Sequence, residues 1–415
     1  MLANLFEKMR SGKGRFGVVQ IPHFNGGLFD DDDTIDLTFG EVQTLGQAVR
    51  LDWASIDATI FGTLFERGLD PSKRKEMAGL FDVVAAKAPK NGNGAKASPG
   101  ETTLPLRGGA IRRSLGKGVG IHYTDTATIM KIVEPVVLRP LDAEWNAVKQ
   151  TIADARTKAG KDKLYLAFRE RLGAFRVLDP ACGSGNFLYI ALRHLKDFDR
   201  RVEGEARMLG LTVDPKGQRI TPRTVLGIEV NPYAAELARV TVWIGELQWQ
   251  LKNGYGVTRR PILGALDGIE NRDALLNADG TEAVWPKADV VIGNPPFLGD
   301  KKMLAELGDD YVGRLRKRYR DTVPGGADLV CYWFDQCRRL LMTKQVVTIG
   351  LVATNSIRGG ANRRVLDLMC ESSRIFDAWA DEPWVIDGAA VRVSLVSATN
   401  SESPSEEFTK DYRAF

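Results

Sequence analysis

Short apolar runs alternate with helix-like patterns through the carboxyl-terminal two-thirds of the chain. The runs are FRVLDP, TVLGIEV, ADVVIGNPPF and QVVTIGLVATN. Each is rich in β-branched residues, and the first two lead directly into helical patterns. Strands that alternate with helices predict an α/β fold, in which a doubly wound and mostly parallel sheet is covered by helices on both faces.

The amino-terminal region follows a different pattern. In DWASIDATIFGTLFERGLD the apolar residues recur at three- and four-residue spacing, which predicts a small helical domain over residues 1–84. Residues 85–119 are rich in Lys, Gly, Ala, Ser and Pro, a composition typical of a flexible basic linker. The α/β domain is then expected over 120–400, with a polar tail over 401–415. Within that domain, the polar block from Arg200 to Arg223 is interpreted as a peripheral excursion between the first two strands.

Composition excludes several classes of protein. The chain has 415 residues, of which 44% are hydrophobic and 27% charged, so more than one compact domain is expected. No apolar run approaches the roughly 20 residues that span a bilayer, and the start lacks the apolar core of a signal peptide. A cytoplasmic protein without membrane contact is predicted. The four cysteines lack zinc-site spacing, so no metal is expected.

The segment VLDPACGSGNFL, residues 177–188, is typical of a ligand cradle, in which a strand runs into a glycine turn and then a helix. Gly183 and Gly185 remove side chains that would keep ligand and backbone apart. A dinucleotide fingerprint would have Gly or Ala where Leu188 stands, and Asp179 would repel a phosphate. The same carboxylate suits a ligand with an ammonium group, so the segment favours S-adenosyl-L-methionine as the cofactor.

Two further acids follow predicted strands. Glu229 ends VLGIEV and is positioned to accept hydrogen bonds from both ribose hydroxyls. Asn231 and Pro232 are expected to cap the next helix. Asp273, in NRDAL, is a candidate acceptor for the adenine amino group of the cofactor. Either acid alone is more often a solvated surface residue, and it is their order after the glycine turn that indicates a site.

The predicted strand ADVVIG delivers Asn294, Pro295, Pro296 and Phe297 at its carboxyl end. Prolines fix φ and remove backbone donors, so this turn is stiff and presents unsatisfied carbonyl acceptors. The Asn294 side-chain oxygen and the Pro295 carbonyl are candidate acceptors for the two hydrogens of a substrate amine, which would favour direct methyl transfer. Phe297 offers a face on which an extruded base can stack. The alternative is a proline-stiffened loop with a core phenylalanine.

Positive charge is concentrated after this turn. From Lys301 to Arg320, seven Lys or Arg face three Asp or Glu, and this excess of four equals the net charge of the whole chain. Such a segment is suited to contact DNA phosphates without reading sequence. A solvated helix face explains RLRKRYR equally well. The candidate phosphate contacts are Lys301, Lys302, Arg316, Lys317 and Arg318.

Taken together, these motifs resemble the γ class of DNA adenine methyltransferases, and within it the methyltransferase region of type IIG and type IIL restriction–modification enzymes. Residues 120–124 (GIHYT) resemble motif X, and DPACGSGNFL, GIEVN, NRDAL and NPPF resemble motifs I to IV. ADL, VVTIGLVATNSIRGG and WVIDGAAVRVSLV resemble motifs V, VI and VIII, and the amino-terminal helical segments resemble the type IIL connector. The resemblance implies the class I S-adenosylmethionine-dependent methyltransferase fold. The cofactor-binding residues that the motifs imply are His122, Tyr123, Thr124, Asp179, Ala181, Gly183, Gly185, Asn186, Phe187, Glu229, Asp273 and Ala274.

The implied activity is site-specific methylation of the 6-amino group of a flipped adenine in double-stranded DNA, within a restriction–modification or phage-defence system. Family members also carry a nuclease before the connector and a target-recognition domain after motif VIII. Here the chain begins at the connector and ends soon after VSLV, so a separate subunit or a further carboxyl-terminal domain is expected to read the DNA. Acid-x-Lys matches occur only at Asp214 and Asp300, so DNA cleavage is not expected.

Two alternatives remain open. A protein-glutamine or RNA methyltransferase shares the Asn-Pro-Pro-aromatic turn, although the upstream HYT segment and the connector argue against it. A cofactor-binding remnant without independent catalysis is the other. The intact motifs argue against a remnant, whereas the absence of a recognition domain favours one.

Overall fold

The computed structural model describes residues 126–213, 219–255, 266–386 and 389–400, with residues 37–48 and short pieces of the first 20 residues. In the amino-terminal part, strands Arg15–Phe16 and Val19–Gln20 pair antiparallel, and a helix spans Phe39–Ala48. Most of the predicted helical domain, the linker and the tail lie outside the described residues. None of the described helices is long and apolar enough to cross a membrane.

The described domain is built on one seven-stranded sheet. Its strands are β1 Val177–Asp179, β2 Val225–Glu229, β3 Ile269–Asn271, β4 Val290–Gly293, β5 Thr348–Thr354, β6 Arg374–Ile386 and β7 Ala389–Thr399. Their order across the sheet is β3-β2-β1-β4-β5-β7-β6. The first five pair parallel, and β7 runs antiparallel to both of its neighbours. The prediction of a mostly parallel α/β sheet is confirmed.

Nine helices in the described ranges accompany this sheet. They are α1 Thr126–Val133, α2 Arg139–Asp154, α3 Lys158–Ala174, α4 Asn186–Met208, α5 Pro232–Lys252, α6 Asp300–Leu307, α7 Asp309–Tyr319, α8 Val330–Met342 and α9 Gly360–Ser372. A π-helical turn over Glu134–Leu138 joins α1 to α2. The predicted cap of α5 is confirmed, because the Asn231 side chain accepts from the N–H groups of Tyr233 and Ala234 and Pro232 begins the helix.

Alternation along the strands divides the apolar core in two. In β4, Val290 and Ile292 pack into a cluster with α1 to α5, whereas Val291 packs into a second cluster with α6 to α9. Side chains of successive strand residues point to opposite faces, so a strand that is apolar throughout must be covered on both sides. The sheet is therefore sandwiched between two helical layers, as a doubly wound fold requires.

The helices that follow β1 and β2 pack closely on each other. A Cβ added at Gly245 of α5 would lie 2.3 Å from the Tyr189 ring of α4. Further along, the Lys196 ammonium donates to the Glu246 carboxylate at 2.8 Å, and both side chains are buried. This pairing of buried, opposite charges crosses the interface between the two helices and holds them in one register.

The interpretation of Arg200 to Arg223 as a peripheral excursion is wrong for its first part. Residues 200–208 continue α4, and Val202 and Ala206 are fully buried in the core on one side of the helix. The composition of this segment is polar because Arg and Glu occupy the remaining faces, where Glu203 pairs with Arg169 of α3 at 2.9 Å. An amphipathic helix end with sparse apolar positions therefore resembles a loop in composition.

We expect Gly245→Ala to destabilise the domain by about 1–3 kcal/mol, because the added methyl group has no room beside Tyr189. Gly204→Ala is the matched control. An added Cβ there meets nothing within 4 Å, so the change should raise the free energy of unfolding by about 0.5–1 kcal/mol. Urea denaturation of the three proteins measures both effects, and equal stabilities for the two variants would contradict the proposed packing.

Candidate active site

The carboxyl ends of the central strands bring the predicted site residues to one edge of the sheet. Asp179 of β1 pairs with Gly227 of β2, and Leu178 pairs with Val291 of β4. Glu229 therefore lies two residues beyond Asp179, at the same end as Gly293 and the turn that follows it. Open α/β sheets bind ligands at this edge, so the register itself defines the candidate site.

The turn after β1 adopts the left-handed conformation at both glycines. Gly183 has φ 51°, and an added Cβ there would meet nothing within 4 Å, which leaves open space beside the backbone. Gly185 has φ 85°, but a Cβ there would lie 2.9 Å from Cα of Ala238 in α5. Gly183 thus fits the expected cradle. At Gly185 the absence of a side chain also allows α5 to pack closely against the turn.

Glu229 ties the turns after β1 and β2 together. One carboxylate oxygen accepts from the Gly183 N–H at 2.9 Å, and the other accepts from the Asn231 N–H at 2.8 Å. Burial raises the pKa of this carboxyl, while the backbone donors oppose that shift. A carboxylate can accept about four hydrogen bonds, so the group retains acceptor capacity toward hydroxyl donors.

Asp179 is buried, with only 1% of its surface exposed. Its Oδ1 accepts from the Ala181 N–H at 3.1 Å. The same oxygen would lie 2.4 Å from a Cβ at Gly293, so only glycine fits at the end of β4. Burial raises the pKa of Asp179 from 3.8 to about 8, with a smaller contribution from the negative charge of Glu229. A cationic group beside this carboxyl would reverse that shift.

Asp273 is held by three donors. Its Oδ1 accepts from the N–H groups of Leu275 and Leu276 at 2.7 and 3.3 Å, and its Oδ2 accepts from the Tyr311 hydroxyl at 2.7 Å. The neighbouring Ala274 is buried, and its carbonyl accepts from the Trp285 indole at 2.7 Å. The carboxylate is therefore fixed in orientation before any ligand arrives.

The turn after β4 carries an unsatisfied acceptor. The Asn294 side-chain oxygen is buried and has no hydrogen-bond partner among the described residues. Pro295 is buried, Pro296 is half-buried, and Phe297 packs at the margin of both core clusters. Just beyond, the Leu298 carbonyl accepts from the Leu329 N–H at 2.8 Å, which anchors the end of the turn to the start of α8. A buried polar atom without a partner costs stability, so this oxygen is a candidate acceptor for a donor on a ligand.

The other predicted cofactor residues have varied surroundings. Asn186, at the start of α4, also has a buried side-chain oxygen without a partner in the described ranges. Ala181 is half-buried on the turn, whereas Phe187 is buried in the core and supports the turn from below. His122, Tyr123 and Thr124 lie outside the described residues.

Sequence reasoning did not single out several residues that brace this edge. The Trp333 indole donates to the Pro180 carbonyl at 3.1 Å and so ties α8 to the glycine turn. Asn362 of α9 accepts from the Asp328 N–H at 2.7 Å and donates to the Asp328 carboxylate at 2.9 Å. After β5, the Asn355 side chain accepts from Ser394 at 2.9 Å and donates to Asp381 at 2.6 Å. Nothing in their spacing indicates these contacts, since the partners come from distant segments.

The candidate phosphate contacts divide into two groups. Lys301, Lys302 and Lys317 are exposed on α6 and α7. The guanidinium group of Arg316 instead pairs with Asp300, and that of Arg318 donates to Glu282 at 2.6 and 3.0 Å. The two arginines therefore join α7 to neighbouring segments.

The sequence of this chain matches a known family of methyltransferase domains. Residues 153–409, more than half of the chain, match the family described as "MmeI, DNA-methyltransferase domain". This chain belongs to that family. The resemblance to type IIL methyltransferases is confirmed, and the domain has the class I methyltransferase fold.

Individual relatives of this MmeI-type domain are longer than the chain. DNA methyltransferase A of Bacillus subtilis (strain 168) is 29% identical over 260 residues, which cover 60% of this chain and 27% of that protein. Type II methyltransferase M.BstVI of Geobacillus stearothermophilus is 30% identical over 188 residues, covering 45% and 29%. Among solved structures, the type IIL restriction–modification enzyme MmeI in complex with DNA superposes with a TM-score of 0.65 at 22% identity, covering 97% of this chain and 48% of that one. The chain thus spans less than half the length of each of these relatives.

The buried Asp179 predicts a pH-dependent stability. The folded chain keeps this proton up to about pH 8, whereas an unfolded chain loses it near pH 3.8. Between these values the folded state binds more protons, so the free energy of unfolding should fall as the pH rises, by at most about 1.4 kcal/mol per pH unit. Asp179→Asn should remove this contribution and be more stable than the unsubstituted protein at pH 8.

Urea denaturation at pH 5 and pH 8 measures that effect. Asp321→Asn is the control, because this carboxylate is 85% exposed and its removal should leave the pH dependence unchanged. The same pH dependence in the Asp179→Asn variant as in the unsubstituted protein would contradict the burial of a protonated carboxyl.

Proposed function

We propose that this chain is the catalytic part of a restriction–modification DNA methyltransferase, which transfers a methyl group from S-adenosyl-L-methionine to the 6-amino group of adenine. Membership of the MmeI methyltransferase family supports methyl transfer to DNA. The choice of cofactor and of target atom rests on the chemistry of the strand ends.

The residues present fit the cofactor. Open space beside Gly183 gives a ligand access to the backbone, and the buried Asp179 carboxyl suits an ammonium group. Glu229 keeps acceptor capacity for ribose hydroxyls, and Asp273 is a fixed acceptor for an adenine amino group. His122, Tyr123 and Thr124 complete the proposed set by family resemblance. When bound, S-adenosyl-L-methionine supplies an electrophilic methyl group on a sulfonium centre.

The single observation that carries the target assignment is the buried, unpartnered side-chain oxygen of Asn294. An acceptor in this position is satisfied by an amine hydrogen, and the adjacent Pro295 carbonyl offers a second acceptor. The amino nitrogen of adenine is a weak nucleophile because its lone pair is delocalised into the ring. Two acceptors that hold its hydrogens favour positive charge on that nitrogen during transfer, and the fixed turn requires no reorganisation.

Phe297 supports extrusion of the base. Its ring is only half-buried, between the two core clusters, so part of its surface remains available for stacking. Stacking on an aromatic face is worth about 1–3 kcal/mol per base, which offsets part of the cost of unstacking it from the duplex. Double-stranded DNA with a flipped adenine is therefore the proposed substrate.

A separate subunit or a further domain is the proposed source of sequence recognition. The described residues at the site provide acceptors and a stacking face, which position a base but carry little sequence information. The relatives are also longer than this chain. Catalysis and target choice are thus assigned to different parts of the complete system.

We expect Asn294→Ala to lower the methylation rate by about 10²- to 10³-fold, because it removes an acceptor that acts mainly in the transition state. Binding of S-adenosylhomocysteine, measured by calorimetry, should be retained within about threefold. The assay is incubation of the chain with labelled cofactor and duplex DNA, RNA or a protein extract, followed by analysis of the labelled product.

The nature of that product separates the alternatives. Label in 6-methyladenine that depends on Asn294 supports the proposal. Label confined to RNA or to protein glutamine would overturn the substrate assignment, and cofactor binding without transfer to DNA, even at high DNA concentration, would indicate a remnant.

The exposed lysines predict the salt dependence of DNA binding. Replacing Lys301, Lys302 and Lys317 together by Ala should reduce the slope of log K against log salt by about 0.9 for each phosphate group that is no longer neutralised. Arg318→Ala is the comparison, since its guanidinium is engaged by Glu282 and its removal should change the slope less. Fluorescence anisotropy with a short duplex gives both slopes, and an unchanged slope in the triple variant would refute the phosphate assignment.

A further inference from the structure

We propose that Tyr311 is a positioning residue for cofactor recognition, whose hydroxyl holds the Asp273 carboxylate so that the site selects a 6-amino purine. This inference rests on the proposed function, specifically on Asp273 as the acceptor for the cofactor's adenine amino group. In sequence, Tyr311 lies within the basic segment from Lys301 to Arg320, where the charge pattern draws attention to the lysines and arginines. Its hydroxyl contacts Asp273, which places it at the proposed cofactor site and not at the proposed DNA surface.

Three of the hydrogen bonds that the Asp273 carboxylate can accept are formed within the protein. Two backbone N–H groups occupy Oδ1, and the Tyr311 hydroxyl donates to Oδ2 at 2.7 Å. Burial and the negative charge of Asp273 raise the pKa of Tyr311, so the hydroxyl keeps its proton and acts as a donor. With the carboxylate plane fixed at both oxygens, the lone pair that remains on Oδ2 has a defined direction.

The helix that carries Tyr311 is itself anchored. Tyr311 lies in the first turn of α7, and Val312 and Leu315 of that helix are buried in the same cluster as Leu275, whose N–H donates to Asp273. At the far end of α7, Arg318 donates two hydrogen bonds to Glu282. The Tyr311 hydroxyl is thus placed by a rigid element and not by a flexible side chain alone.

A carboxylate fixed in this way discriminates by donor and acceptor chemistry. Ionised Asp accepts hydrogen bonds but donates none, so it binds a 6-amino group and repels a 6-oxo group. Sites built around such a bond disfavour the analogue that cannot form it, because the acceptor, here the half-buried Asp273 carboxylate, is left without that partner. If Tyr311 were absent, the carboxylate could rotate toward solvent and the preference would weaken.

The test compares two non-reactive probes, S-adenosylhomocysteine and its 6-oxo analogue S-inosylhomocysteine, by calorimetry on the whole 415-residue chain. The unsubstituted protein should prefer the 6-amino probe by about tenfold or more. Tyr311→Phe should weaken binding of the 6-amino probe about five- to tenfold and leave the 6-oxo probe nearly unchanged, so the preference shrinks by the same factor.

Tyr319→Phe is the matched control. It removes a hydroxyl from the same helix, but that oxygen accepts from the Gln336 amide at 2.9 Å and does not contact Asp273. Its preference between the probes should equal that of the unsubstituted protein, with thermal melts confirming that both variants are folded.

Each result has a defined meaning. An unchanged preference in Tyr311→Phe, equal weakening of both probes, or tighter binding of the 6-amino probe would overturn the inference. A protein that binds the 6-amino probe but shows no preference over the 6-oxo probe would also overturn it, while leaving methyl transfer to DNA intact. Failure of the unsubstituted protein to bind the 6-amino probe would instead refute the proposed cofactor.

Discussion

The candidate site depends on the contact between the buried Asp179 carboxyl and Gly293. Because a side chain at residue 293 would overlap Oδ1 of Asp179, the ends of β1 and β4 can approach only with glycine at that position. This approach places the glycine turn after β1 beside the Asn-Pro-Pro-Phe turn after β4. A site that joins a cofactor to a substrate amine needs these two turns to be neighbours, since transfer requires near contact of the reacting atoms.

Several polar groups at this edge of the sheet lower the stability of the folded chain. Asp179 is desolvated, and the side-chain oxygens of Asn186 and Asn294 lack partners among the described residues. Such groups destabilise a protein unless a ligand satisfies them. The surrounding braces compensate, because Trp333 holds the glycine turn and Leu329 holds the end of the proline turn. The edge is therefore rigid yet incompletely satisfied, as expected of a preorganised binding site.

Much of this arrangement could be predicted from sequence because its signals are local. The glycines after β1, the Asn231 cap and the apolar run before Asn294 each determine a backbone conformation within a few residues. Residues 200–208 were misassigned because their buried positions are few and widely spaced on a polar helix. The contact of Tyr311 with Asp273 could not be foreseen, since 38 residues separate the two and only the packing of α7 brings them together.

The same packing links the two proposed functions of this segment, which are contact with DNA and recognition of the cofactor. The segment after the Asn-Pro-Pro-Phe turn presents Lys301, Lys302 and Lys317 to solvent, while Tyr311 in that segment contacts the proposed adenine acceptor. Val312 and Leu315 pack α7 into the core beside Asp273, and Tyr311 on the same helix donates to that carboxylate. A displacement of α7 by DNA would therefore change the hydrogen bond to Asp273. Packed helices shift as units and do not deform continuously. If DNA and cofactor bind as proposed, their binding would be coupled through α7, and each would alter the affinity for the other by the same factor.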